Sequence, residues 1–122
     1  MRAVLTNAAR TAAYRIIQPK AMRIIRLALG SYNVNPKLTK IFWEHGPLRA
    51  AHHVAEAFAR IKKMRRLRKL DPHELSIQFL NEIVGPFLFT VMLGVTPYPS
   101  HKEIDKKLSR VIDDFLTRHD LD

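Results

Sequence analysis

Apolar residues recur along this chain in six groups, and five of the six follow the one-sided spacing of an amphipathic helix. Val4, Leu5, Ala8, Ala12 and Ile16 predict a helix over residues 3–17. A second helix opens at Pro19, presents Met22, Ile24, Ile25 and Leu29, and stops at Gly30, a residue suited to a C-cap. Ser31 to Asn35 read as a turn. Pro36 then opens a short third helix, KLTKIFWEH, which ends at Gly46. Pro47 starts a long fourth helix, about residues 47–68, with Leu48, Ala51, Val54, Ala55, Phe58 and Ile61 on its stripe. Asp71, Pro72 and Glu74 mark the next start: Asp71 as N-cap, Pro72 at the first position, Glu74 completing a capping box. This fifth helix runs to Gly94. Pro97 and Pro99 stiffen a loop, and Ser100 with Glu103 caps a sixth helix whose apolar face is Ile104, Leu108, Val111, Ile112, Phe115 and Leu116. No segment reads as a strand. The pattern predicts an all-α bundle of about six helices, one domain over residues 1–122.

The fifth helix breaks the one-sided rule. From Ile83 onward it carries no charge and is apolar at almost every position (IVGPFLFTVMLGV). Such a segment has to be covered on two sides. It is about 13 residues long, interrupted by Gly85-Pro86, and a bilayer needs about 20. A chain of 122 residues has little material to enclose it, so a second copy is the simplest cover. A homodimer is therefore expected, joined by a four-helix bundle of the fifth and sixth helices of both subunits. Phe87, Val91, Ile104, Leu108, Val111, Ile112 and Phe115 are the expected interface. Pro86, which lacks a backbone N–H, is expected to kink the fifth helix. The bulky residues Met22, Phe42, Trp43, Phe58, Met64, Phe79 and Phe87 lie on several helices. Ordinary core packing and the lining of an apolar ligand pocket are both open readings of them.

Charge adds a second asymmetry. The net charge is +10, and residues 1–43 hold eight Arg or Lys and no Asp or Glu. A surface near polyanions, or a solvated basic face, would account for it. The run from Lys62 to Lys69 has six charges in eight residues. It suits either phosphate contacts or a solvated helix end, and no aromatic interleaves with it for stacking on a single strand. An Arg-rich, acid-poor start is also the composition of a transit peptide, but Met22, Ile25 and Leu29 continue a core-like pattern through it. No secretory signal is read, and a cytoplasmic location is expected. With no cysteine, disulfides and thiolate metal sites are excluded. His52 and Glu56 have ligand-compatible i,i+4 spacing but lack a third partner. Glu44-His45-Gly46 reads as a helix end, with His45 favoured there by the helix dipole. No phosphate loop, dinucleotide fingerprint or nucleophile elbow is present. The expectation is a non-enzyme with no cofactor and no metal.

The order of these segments resembles the C-terminal half of TetR-family transcriptional regulators. A helix pair leads into NPKLTKIFWEHGP, then into a long helix ending in basic residues. DPHELSIQFLNEIVGPFLFTVMLG follows, then a Pro-containing loop, then HKEIDKKLSRVIDDFL. The likeness is strongest over residues 33–118 and fades towards the N-terminus. The resemblance implies a helical domain that binds an effector and dimerises through its last two helices, here about 72–94 and 100–117. It also implies an apolar cavity bounded by the first five helices, lined by Met22, Ile25, Phe42, Val54, Phe58, Phe79 and Ile83. The nearest polar groups would be His52, His53, Glu56 and Tyr32. The family's other part is a three-helix DNA-reading domain. Residues 1–30 lack the length for three helices and the tight-turn glycine between two of them. An effector-binding and dimerisation domain without its DNA reader is therefore expected, sensing a small hydrophobic ligand, touching DNA weakly by charge and touching no membrane. The competing reading is a basic helical protein that associates with nucleic acid without sequence preference.

Overall fold

Local stereochemistry sets most of the helix ends. The computed structural model of the chain describes residues 2–61 and 71–119, and among them are six helices and no strand. They are α1 (Arg2–Ile16), α2 (Pro19–Gly30), α3 (Lys37–His45), α4 (Pro47–Ile61), α5 (Pro72–Leu93) and α6 (His101–Arg118). Prolines 19, 47 and 72 stand at first helical positions, where a missing N–H costs nothing. Ser100 and Glu103 form the expected reciprocal capping box on α6. At α5 the cap is a single bond: Asp71 accepts from the N–H of His73 at 3.1 Å, and Glu74 lies exposed in the first turn instead of closing a box.

Two glycines behave differently from one another. Gly94 takes the left-handed conformation, φ +76°, and its N–H and that of Val95 bond back to Val91 and Thr90. This is a Schellman closure, which satisfies the last carbonyls of α5. Gly30, expected as a similar cap, stays helical, and the N–H of Ser31 closes α2 on Leu27. Gly85-Pro86 does not divide α5, which runs unbroken for 22 residues. Gly85, Pro86 and Glu82 are all exposed, so the hydrogen bond that Pro86 omits lies on the water side. By length and composition α5 could cross a membrane. In the fold its residues Phe79, Leu80, Ile83 and Val84 are buried in the main core, while Phe89 and Leu93 are exposed.

The main core gathers α1, α4, α5 and α6. Leu5, Ala8, Ala9, Ala12 and Ala13 of α1 are almost fully buried. The small side chains of these four alanines let α4, with Ala50, Ala51 and Ala57, pack close to α1. Phe58 of α4, Phe79 of α5 and Phe115 of α6 meet edge to face, with ring centres 5.2, 5.3 and 5.9 Å apart. The α6 stripe Ile104, Leu108, Val111, Ile112, Phe115 and Leu116 is buried within this core. These residues were expected to face a second subunit, and in the single chain they are covered by α1, α4 and α5. An amphipathic helix has one apolar stripe, and that of α6 lies on its own chain.

A second, smaller cluster sits at the far end of α5. Met22 and Ile25 of α2 pack on Val91, with Phe42, Phe87, Leu88 and Met92 around them. Arg26 fastens the same junction, its guanidinium donating to the carbonyls of Val91 and Met92 at 2.8 and 2.9 Å. A cation is well placed at a helix C-terminus. Leu29, expected in the core, is 55% exposed, and Ala28 takes the buried position. The fourth helix was expected to continue to residue 68, and that continuation lies outside the described residues.

Candidate functional site

A helix with two apolar faces can pack on one side and line a hollow with the other. α2 and α3 are of this kind. α2 turns Met22 and Ile25 to the second cluster, which leaves Ile24 and Leu27 exposed on a neighbouring face. α3 buries no residue fully, yet Leu38, Ile41 and Phe42 follow one another along it. Between these faces, the end of α1 and the start of α4 lies a cleft of about 590 Å³. Its lining is apolar over most of its extent: Ile16, Ala21, Ile24, Ile25 and Ala28 on one side, Leu38, Ile41, Phe42, Pro47 and Ala50 on the other. The volume is in the range of small-molecule sites, about 300–1,000 Å³. Gly46 alone joins α3 to α4. A side-chain carbon added there would meet the Phe42 carbonyl at 3.2 Å, a tight contact that glycine avoids.

Polar groups edge the cleft without a catalytic grouping. Arg15, Gln18, Lys20, His45 and Arg49 contribute to the lining. The His45 ring places Nδ1 2.9 Å from the carbonyl of Ile41. A carbonyl only accepts, so Nδ1 is the protonated nitrogen there.

The expected cavity residues divide between three places. Val54, Phe58, Phe79 and Ile83 belong to the main core and Met22 to the second cluster. Ile25 and Phe42 reach the cleft. His52 and Glu56 are exposed on α4, with His52 near His73, ring centres 5.7 Å apart. His53 borders a shallower hollow with Val4, Asn7, Thr11 and Arg60, and Tyr32 is 54% exposed. Of the expected dimer residues, Val91 is buried under α2 and Phe87 is half-buried between the two clusters. Among the described residues no three His, Asp or Glu side chains gather as metal ligands would. The basic run Lys62 to Lys69 lies outside the described residues. Sequence reasoning missed Ile24, Leu38 and Ile41, although Ile24 and Leu27, three apart, mark a second apolar face on α2.

One polar group outside the cleft joins α1 to α6. The Tyr14 hydroxyl donates to Asp105 Oδ1 at 2.6 Å, and Arg10 Nε donates to the same oxygen at 3.1 Å. The Tyr14 ring stacks on His101, ring centres 3.8 Å apart. Burial, then the hydrogen bond to Asp105 and its charge, push the Tyr14 hydroxyl above its ordinary range. Burial acts against the charged form of Asp105, but the hydrogen bonds from Tyr14 and Arg10 and the nearby positive charges outweigh it. The Asp105 carboxyl is held below the usual carboxylate range. The group is a satisfied interhelical tie.

Comparison with known proteins agrees with this architecture. Residues 3–120 match the family described as AefR-like transcriptional repressor, C-terminal domain. The match takes in α1 and α2, where the motifs read from sequence were weakest. Neither the curated proteins nor the solved structures gave a match. TetR-family regulators of this kind generally dimerise and bind effectors, and their C-terminal domains are helical. All-helical and matched over almost its whole length, the chain belongs to the AefR-like C-terminal domains of TetR-family transcriptional repressors.

Proposed function

We propose that this domain senses a small, largely hydrophobic effector in the cleft between α2, α3 and α4, and that it works as a cytoplasmic homodimer. The observation that carries the reading is the cleft itself, an apolar hollow of about 590 Å³ beside the main core. The coupling would run through α2. A ligand filling the cleft moves or fixes α2, and α2 holds the C-terminal end of α5 through Met22, Ile25 and Arg26. Ligand binding then favours one arrangement of α2 against α5 over another, which is a population shift. In a regulator, that difference would reach the DNA-reading heads through the subunit seam.

The seam proposed here uses α5 and not the stripe of α6. Pro86, Phe89 and Leu93 follow i, i+3, i+7 spacing on α5, and all three are exposed, Phe89 and Leu93 at 69% and 62%. Val95, also 69% exposed, extends the patch. Residues of this size are ordinarily covered, and a second copy offers an identical apolar face. The test of the effector reading is a thermal-shift screen of hydrophobic small molecules on the wild type and on Ala21→Trp, which fills the cleft from its half-buried wall. A compound at 100 times its dissociation constant should raise stability by about 2.7 kcal/mol. Stabilisation that is absent in the wild type, or undiminished in Ala21→Trp, sinks the reading.

A further inference from the structure

Among the described residues, every formal charge that lines the cleft is positive. Arg15 at the end of α1, Lys20 at the start of α2 and Arg49 at the start of α4 border it, and no described Asp or Glu does. All three are exposed, and among the described residues none makes an ion pair, whereas Arg2 and Arg10 do. The two helices that begin at the cleft, α2 and α4, carry no acidic residue in their first turns. Their N-terminal ends therefore add to the positive potential. An uncharged apolar effector would need none of this. It would bind in the lining of Ile24, Ala28, Ile41 and Phe42 and gain nothing from three guanidinium and ammonium groups at the edge.

We infer that the effector is an amphipathic anion: an apolar body in the cleft and one acidic head, carboxylate or phosphate, at the edge formed by Arg15, Lys20 and Arg49. The inference rests on the effector reading above and names its ligand class. Arginine pairs with planar carboxylates and with phosphates through two parallel hydrogen bonds, and lysine acts as a point charge. The shape of the site follows the same division, with an apolar wall inside and cations only at its margin.

The test compares four probes of one chain length, each below its micellar or solubility limit: dodecanoate, dodecyl phosphate, dodecanol and dodecyltrimethylammonium, the first two distinguishing the acidic head groups. Calorimetric titration of the intact protein should show dodecanoate or dodecyl phosphate binding about tenfold or more tightly than dodecanol, and the cation most weakly. In the triple variant Arg15→Gln, Lys20→Gln, Arg49→Gln the preference for the anion should fall to within about twofold of dodecanol while dodecanol affinity holds. Lys102→Gln with Lys106→Gln, exposed on α6 and remote in sequence from the cleft, removes general charge and should leave the preference intact. If dodecanol and the anions bind equally, the head-group inference fails and the effector reading stands. If the preference survives the triple variant, or vanishes in the α6 variant, it comes from net charge and the inference is overturned. If no probe binds, both fail together.

Discussion

Asp105 gives the residue scale its clearest pH dependence. Its carboxyl accepts from Tyr14 and Arg10 across the α1–α6 junction and is held below its ordinary range. A carboxylate whose pKa is depressed by folding adds stability that is present above its unfolded value, about 4, and lost as pH falls through the folded value. Asp105→Asn should therefore lower the urea midpoint at pH 6 and change it little at pH 2.5, so the variant loses less on acidification than the wild type. Equal losses would show that the tie does not contribute. The aromatic triad is the larger effect. Removing a ring from Phe58, which is 1% exposed, leaves a void among Phe79 and Phe115. Phe58→Ala should cost about 3–5 kcal/mol by denaturant titration. A double-mutant cycle with Phe79→Ala should show non-additivity of about 0.5–1.5 kcal/mol.

Helix ends were legible because a few residues decide them. Pro19, Pro47, Pro72, Asp71, Ser100 with Glu103, and Gly94 each act within one turn of chain, and each stands where sequence reasoning put it. Gly30 did not follow, because a glycine permits a left-handed cap but does not impose one. At Gly94 the conformation is imposed, and a side-chain carbon there would meet nothing within 4 Å. Gly94→Ala should then cost about 1–2 kcal/mol from backbone strain alone, read as a lower urea midpoint with an unchanged slope. A cost near zero would mean that the end of α5 rearranges freely. What periodicity could not give was the partner of each stripe. Phe58 and Met22 both read as inward, yet one faces α5 and α6 and the other faces the end of α5. Ala9 and Ala13 carry no signal of their own, and in the fold they are completely buried because α4 and α6 crowd α1.

At the scale of the molecule, the same ambiguity separated an inner stripe from an outer one. The face Ile104, Leu108, Val111, Ile112 and Phe115 has the spacing of a subunit interface, and a helix buried by its own chain has it too. The two assignments predict different failures. Val111→Lys with Phe115→Lys places two charges in the core and should abolish the folded state, seen as loss of helical circular dichroism. Phe89→Glu with Leu93→Lys alters only the exposed face of α5 and should leave a folded monomer by sedimentation. A folded dimer after the second pair of substitutions would place the seam elsewhere. The cleft was half legible for a related reason. Ile25 and Phe42 were found through their size, whereas its other walls come from helices that show apolar residues on more than one side.

Among the described helices, α3 is the one in which no residue is fully buried. It has nine residues, and it packs on α2 and α4 by half-buried side chains such as Leu38 and Phe42. Segments with so little buried contact open locally, at a free energy well below that of global unfolding. The amides of residues 37–45 should therefore exchange with deuterium by a route that ignores denaturant at low concentration, while those of α1 and α5 exchange only when the whole domain opens. α3 is one wall of the cleft, so access to that space becomes a local breathing event whose frequency can change without any change in the lifetime of the folded domain. Substitutions at Trp43, half-exposed on α3, would tune how often the wall swings aside, and so the residence time of whatever occupies the cleft, with the main core untouched.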